Sequence, residues 1–255
     1  MPHITLLTDF GTADGYAAAM KGVIASICPD AIVTDAAHDI PPGDIEAAAW
    51  TLWRYWRLFP EGTVHVAVVD PGVGGPRRAL AVVAQERLLV APDNGLLTRV
   101  LEEAGAWRAI SIQEPAYLHH PVSRTFHGRD VFAPAAAHLA GGVPVDALGP
   151  AVTDPVRLAL PAFSIQPEAI VGAVVHVDRF GNLVSNIPAH WATSGRVQVA
   201  GQELGPVRGA YSDVATGELV GLIGSAGMLE VAVRDGSAAA RLGIGRGSEI
   251  RILRI

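Results

Sequence analysis

Four short stretches of this chain place carboxylates, a histidine or arginines beside glycine directly after an apolar run. They are Thr8-Asp9-Phe10-Gly11-Thr12-Ala13-Asp14, Val69-Asp70-Pro71-Gly72-Val73-Gly74-Gly75, Ala91-Pro92-Asp93-Asn94-Gly95 and Phe126-His127-Gly128-Arg129-Asp130. In an open parallel sheet, ligands bind in the crevice beyond the carboxyl ends of the strands, so residues in such places are the first to consider for chemistry. Each stretch alone is also what a turn requires. Together they would gather carboxylates, an imidazole and guanidinium groups on one sheet edge with no lysine counterweight, which is the pattern of a site. Asp14 is placed to cap the helix that follows it, whereas Asp9 has no such structural duty.

The elements that would carry these residues alternate. Ile4–Leu7, Ile32–Thr34, Val64–Val69, Leu80–Val83 and Leu88–Val90 read as strands. Apolar residues recur at helical spacing at Tyr16, Met20, Val23, Ile24 and Ile27, and again at Ile45, Ala48, Ala49, Leu52, Trp53 and Trp56. A short helix is predicted over Gly95–Glu103, and another following Gly128, running through Ala133 to Ala140 and stopped by Gly141-Gly142. This is the pattern of strand-helix-strand units on a mostly parallel sheet, a Rossmann-like α/β domain over residues 1–155. Residues 156–168, with Pro161 and Pro167, read as a linker. From 169 to 255 the texture changes to short strands separated by turn residues: Ile170–Val177, Leu183–Ile187, Arg196–Val199, Leu219–Ile223, Leu229–Val233 and Glu249–Leu253. A small all-β barrel is predicted there.

Composition removes several classes of function. Half of the residues are apolar and only 17% are charged, which excludes a disordered chain. A net charge of −6 gives no attraction to nucleic acid or to an anionic membrane. The single cysteine, Cys28, rules out an internal disulfide framework and reads as core packing. No basic n-region with a long apolar h-region opens the chain, and no apolar run is long enough to span a membrane, so a cytoplasmic protein is expected. His119-His120 are adjacent rather than at i, i+4 spacing, and the signatures of a dinuclear phosphoesterase are missing, so no catalytic metal is expected. The glycines of 70–75 and 243–247 lie in the wrong context for a dinucleotide fingerprint and read as turns.

Thr8-Asp9-Phe10-Gly11, Val69-Asp70-Pro71-Gly72-Val73-Gly74, Phe126-His127-Gly128-Arg129-Asp130 and Asp178-Arg179-Phe180-Gly181-Asn182 resemble, in order and over nearly the whole chain, the S-adenosyl-L-methionine hydroxide adenosyltransferases, relatives of fluorinase and chlorinase. The resemblance implies a Rossmann-like N-terminal domain and a C-terminal β-barrel. It implies a homotrimer with sites between subunits, and hydrolysis of S-adenosyl-L-methionine to adenosine and methionine without a cofactor. The family's catalytic trio carries over to Asp70, Arg77 and His127. Arg78 directly follows Arg77, which leaves two positions for the guanidinium, of which Arg77 is taken. The halogenating relatives place a tyrosine where Asp70 stands and lack the histidine, which puts this chain on the water-using side.

The trio suits that chemistry. A sulfonium leaves without being protonated, so the demand falls on the nucleophile, and removal of a proton from water by a positioned base contributes roughly 10²- to 10⁴-fold. By resemblance, Asp9 accepts both ribose hydroxyls and Asp14 meets the methionine ammonium, with Phe126 and Asp178 also in the site. Asn182 presents an amide to the adenine edge, Phe180 or Tyr211 covers its face, and Ser225 and Glu230 hold the methionine end. Two departures from the halogenases are visible: Ala226 follows Ser225 where they have arginine, and Gly43 lies near their tryptophan position. Trp50, Trp53 and Trp56 share one side of a helix and read as packing. The alternatives are a halide-using adenosyl transferase and a non-catalytic binder of adenosine or S-adenosylmethionine.

Overall fold

Apolar residues from Ile4 onward build β1 (His3–Thr8), in which every side chain from Ile4 to Thr8 is buried. In chain order follow α1 (Tyr16–Ile27), β2 (Ile32–Ala37), α2 (Ile45–Tyr55), β3 (Val64–Val68), β4 (Ala79–Ala84), β5 (Arg87–Pro92), α3 (Thr98–Ala104), β6 (Trp107–Ser111), α4 (Ala133–Ala140) and β7 (Ala151–Val152). The computed structural model describes residues 1–192 and 195–254, and the chain divides into two units, Met1–Leu158 and Ala159–Ile255.

In the first unit the seven strands lie in the order β2-β1-β3-β5-β4-β6-β7. β2, β1, β3 and β5 pair in parallel, while β4 runs antiparallel to both β5 and β6, and β7 antiparallel to β6. β6 therefore points the same way as the parallel set, and the sheet is mostly parallel. Successive side chains of a strand face opposite sides, and both sides are covered. Ile4, Leu6, Val66 and Val68 pack with Met20, Val23 and Ile24 of α1 and Ala133, Ala136 and Ala137 of α4. Leu7, Ala67 and Val69 pack with Ala47, Ala48 and Leu52 of α2 and Val100 and Leu101 of α3. Cys28, Trp50 and Trp56 are buried in these layers as the sequence predicts.

Several elements differ from expectation. The second strand extends three residues beyond Thr34. α3 starts at Thr98 rather than Gly95, because Gly95 takes φ +95° and an added Cβ there would meet Leu158 at 2.8 Å. β6 and β7 were not read from the sequence. β6 offers only Ala109 and Ile110 to the core beside a charged Arg108, and β7 has two residues, too little for a periodic signal.

The second unit holds β8 (Ser164–Ile165), β9 (Ala169–Val177), β10 (Leu183–Pro188), α5 (Ala189–Ala192), β11 (Arg196–Val199), β12 (Gln202–Pro206), β13 (Leu219–Ile223), β14 (Met228–Val233), α6 (Ala238–Leu242) and β15 (Glu249–Leu253). β12, β8 and the two short helices carry too few periodic residues to be read in advance. The order is β12-β11-β15-β9-β10-β14-β13 with every pairing antiparallel, and β8 joins β9 inside the segment expected as a linker. Arg208, just past β12, donates its N–H to Gly221 O of β13 at 2.8 Å, so the two sheet ends approach and the barrel is nearly closed. Val174, Leu183, Leu229, Val231, Ile250 and Ile252 fill it. Among the described residues no helix is long and apolar enough to cross a membrane.

Candidate active site

Three loops at the carboxyl end of the parallel strands carry the candidate site residues of the N-terminal unit. β3 ends at Val68, and the chain turns at once: Val73 N–H donates to Asp70 O and Gly75 N–H to Gly72 O. That turn brings Arg77 back over Asp70. Arg77 Nε donates to Asp70 Oδ1 at 3.1 Å and Oδ2 at 3.0 Å, and Nη2 donates to Oδ2 as well. The same Nη2 lies 2.7 Å from His127 Nδ1. A guanidinium can only donate, so Nδ1 is the acceptor and the ring proton sits on Nε2. The Asp70 and Arg77 side chains are only 5% and 12% exposed, and Arg77 lies over the Phe132 ring at 5.3 Å. Burial first, and then the Arg77 charge, push the His127 pKa below its ordinary value, against the opposing pull of Asp70, Asp130 and a hydrogen bond to the Ser123 backbone. With Nδ1 accepting from Arg77, the ring in this arrangement carries one proton.

The loop before His127 reaches the trio only because residue 74 is glycine. Gly74 takes φ +74°, and an added Cβ would fall 2.2 Å from Arg124 O. From the other side, Asp130 fixes the same loop. It is fully buried, accepts the Ser123 N–H at 2.8 Å, and is paired with Arg129 at 2.6 Å. A single-turn π-helix over Gly128–Phe132 joins this loop to α4. Arg78, the other sequence option, points elsewhere: it pairs with Asp93 at 2.7 Å and Asp154 at 2.8 Å. Asp93 also accepts the Val156 N–H, so Arg78 and Asp93 pin the segment around Asp154 rather than serve the trio.

Asp9 is half-buried after β1, and its Oδ2 accepts the Gly43 N–H at 2.8 Å. Asp14 is exposed and is not the cap the sequence suggests. Gly15 occupies that position with φ +76° and no side-chain bond closes the helix start. Phe126 forms an aromatic corner with Phe10 (5.8 Å) and Tyr16 (5.0 Å), and Arg129 lies over its ring at 5.2 Å.

In the second unit, Phe180, Asn182 and Tyr211 line one cavity of about 680 Å³ with Arg234 and Asp235. That is a common volume for a small-molecule site. Phe180 is 74% exposed while Asn182 is buried. Asp178 organises the turn that presents them: its Oδ1 accepts the Phe180 and Asn182 N–H groups at 2.9 Å each, and its Oδ2 accepts from the Asn182 amide at 3.1 Å. Glu230 is buried and accepts the Tyr211 hydroxyl at 2.6 Å. Ser225 is exposed in the turn between β13 and β14.

The sequence reading missed the polar groups of β2. Because that strand was expected to stop at Thr34, Asp35 and His38 were not recognised as lying at a strand's carboxyl end. Among the described residues no group of three or more His, Cys, Asp or Glu is placed to hold a metal ion.

Comparison with known proteins bears on both units. Residues 4–149 match the family model described as the SAM hydroxide adenosyltransferase N-terminal domain, and residues 172–251 match that of its C-terminal domain. A Thermus thermophilus protein named (R)-S-adenosyl-L-methionine hydrolase is 43% identical over 261 residues, covering 99% of this chain and 100% of that one. A fluorinase from Actinoplanes sp. is 32% identical over 213 residues, covering 73% of this chain and 72% of its own. The crystal structure of an uncharacterized conserved protein from Thermotoga maritima superposes with a TM-score of 0.92 at 38% identity, covering 98% of this chain and 100% of that one.

Proposed function

The chain belongs to the SAM hydroxide adenosyltransferase family, and from that membership we infer that it is an S-adenosyl-L-methionine hydrolase: water attacks ribose C5′, the C5′–sulfur bond breaks, and adenosine and L-methionine leave. The observation that carries this reading is the contact of Asp70, Arg77 and His127 through a single guanidinium. In our reading the attacking water sits against Asp70. The carboxylate keeps lone pairs beyond those spent on Arg77 and takes the water's proton as the bond to carbon forms. Arg77 stabilises the developing hydroxide charge, and His127, held by its Nδ1 contact, fixes the guanidinium beside the water. The electron pair of the breaking bond neutralises the sulfonium, so the leaving methionine needs no acid. The substrate carries its own activated leaving group, and the reaction requires no cofactor.

Asp9 and Asp14 are assigned to the ribose diol and the methionine ammonium. Phe126, next to His127, is assigned to the wall beside the reacting centre. Asn182, Phe180 and Tyr211, with Asp178 behind them, are assigned to adenine, and Ser225 and Glu230 to the methionine end. The curated relatives' names specify the (R) form. Since L already fixes the α-carbon, we assign that descriptor to the sulfonium and take the same epimer as this chain's substrate. The parallel strands β2, β1, β3 and β5, flanked by α1 and α2 on opposite faces, support a Rossmann-like reading of the first unit. The family resemblance supports a homotrimer, and we take the protein to act in the cytoplasm.

The test is incubation with both S-adenosylmethionine epimers in halide-free buffer. The expected outcome is adenosine and methionine from the (R) form, with Asp70→Ala releasing neither while still binding adenosine. Product only on adding halide would establish a halide-using transferase. Saturable binding with no product would establish a binding protein.

A further inference from the structure

Beneath the Asp9 loop runs a chain of hydrogen bonds that no assigned role explains. β1 and β2 slip register between Leu6, opposite Asp35, and Leu7, opposite Ala37, so β2 bulges at this level. Bulges next to sites re-aim side chains, and here Asp35 and His38 join one line. Lys21 Nζ donates to Asp35 Oδ2 at 2.6 Å, and Asp35 Oδ1 lies 2.9 Å from His38 Nε2. His38 Nδ1 lies 2.8 Å from Thr8 Oγ1, which accepts the Phe10 N–H at 3.3 Å. A carboxylate only accepts, so His38 Nε2 carries a proton toward it. In the neutral ring Nδ1 then takes the Thr8 hydroxyl proton, and the Thr8 oxygen is left to Phe10. Every link thus has one donor and one acceptor. Thr8 is fully buried and His38 only 7% exposed, so a broken link would strand a polar group away from water.

The same segment grips the loop through two further bonds. Gly11 N–H donates to His38 O at 2.7 Å, and Gly43 N–H donates to Asp9 Oδ2. Gly43 abuts the residue after Asp70, since an added Cβ there would lie 3.9 Å from Pro71 Cβ. Asp9 is therefore flanked by two residues, Thr8 and Phe10, that the line holds, and is bonded itself to a glycine set against the trio's loop.

We propose that Lys21, Asp35, His38 and Thr8 are positioning residues that fix the Asp9 carboxylate for two vicinal hydroxyls, and so set the preference of this site for a nucleoside with an intact 2′,3′-diol. This rests on the reading of Asp9 as the ribose acceptor. A carboxylate must be held closely in place to take two hydroxyls at once, and the line reaches the backbone on both sides of it.

The experiment titrates the full chain with adenosine and with 2′,3′-dideoxyadenosine by calorimetry. The wild type should prefer adenosine. Thr8→Val, which removes the hydroxyl at nearly constant volume, should cut that preference about tenfold, worth about 1.4 kcal/mol, while dideoxyadenosine affinity stays within about twofold. Thr8→Ser should restore the preference. Lys21→Met, at the exposed end of the line, should lower it in the same sense and by less. An unchanged preference in Thr8→Val, or equal loss for both ligands, overturns the positioning role while leaving the Asp9 assignment standing. No preference in the wild type overturns the Asp9 assignment itself, and the positioning role with it.

Discussion

Arg77 and Arg78 are neighbours in the chain with unrelated duties, one spanning Asp70 and His127, the other bridging Asp93 and Asp154. The family resemblance points to Asp70, Arg77 and His127 and takes Arg77 over its neighbour, and the structure brings these three into contact; the physical ground for choosing between two adjacent arginines lies in the path of the 70–78 turn, which decides which guanidinium faces Asp70. Asp14 shows the opposite limit: a carboxylate one residue before a helix looks like a cap, but Gly15 takes the position. The His127 contact carries a pH consequence. Protonation of Nδ1 would set a cationic donor against the Arg77 guanidinium, and the ring's pKa is already lowered. The inflection of the acid limb of kcat/KM should therefore lie below about 6.5, the ordinary histidine value. A pH–rate profile checks this, and an inflection at or above about 6.5 would contradict it.

At the scale of the elements, the loops are placed by close approach and the strands by buried polar pairs. Gly74→Ala would bring Cβ into Arg124 O and load a left-handed backbone. Strain of this kind costs on the order of 1–3 kcal/mol. The expected result is a stability loss of about that size, together with a fall in kcat larger than the rise in KM as His127 retreats from Arg77. Urea titration and steady-state kinetics measure both. In β3, His65 is fully buried, with Nδ1 2.9 Å from Thr5 Oγ1 of β1 and its ring 5.7 Å from those of Tyr55 and Phe59. Burial lowers its pKa to about 4. Between that value and about 6.5, the unfolded chain binds more protons than the folded one. Stability should then fall as pH drops through this window, by up to about 1.4 kcal/mol per unit. His65→Gln should flatten the part of the urea-midpoint slope that belongs to this ring. The long strands and helices were legible because their periodicity is sustained. β6, β7 and β12 were not, since a short strand among polar residues shows no period.

Taken as a whole molecule, the change of texture after residue 155 was visible as turn residues between short apolar runs, whereas the detail of strand order was not. Nothing in the spacing of β4 tells that it returns against β5 and leaves β6 to resume the common direction. Light scattering of the purified chain should give a mass of a homotrimer, and activity should fall on dilution below the assembly's dissociation range; a monomeric mass with undiminished turnover would remove the trimer from the account. The short connection from β3 to β4 contributes Asp70 and Arg77 together, while His127 comes from a separate stretch braced by Asp130. Two of the three proposed catalytic groups therefore lie within one short loop, and only His127 depends on a second stretch of chain for its placement.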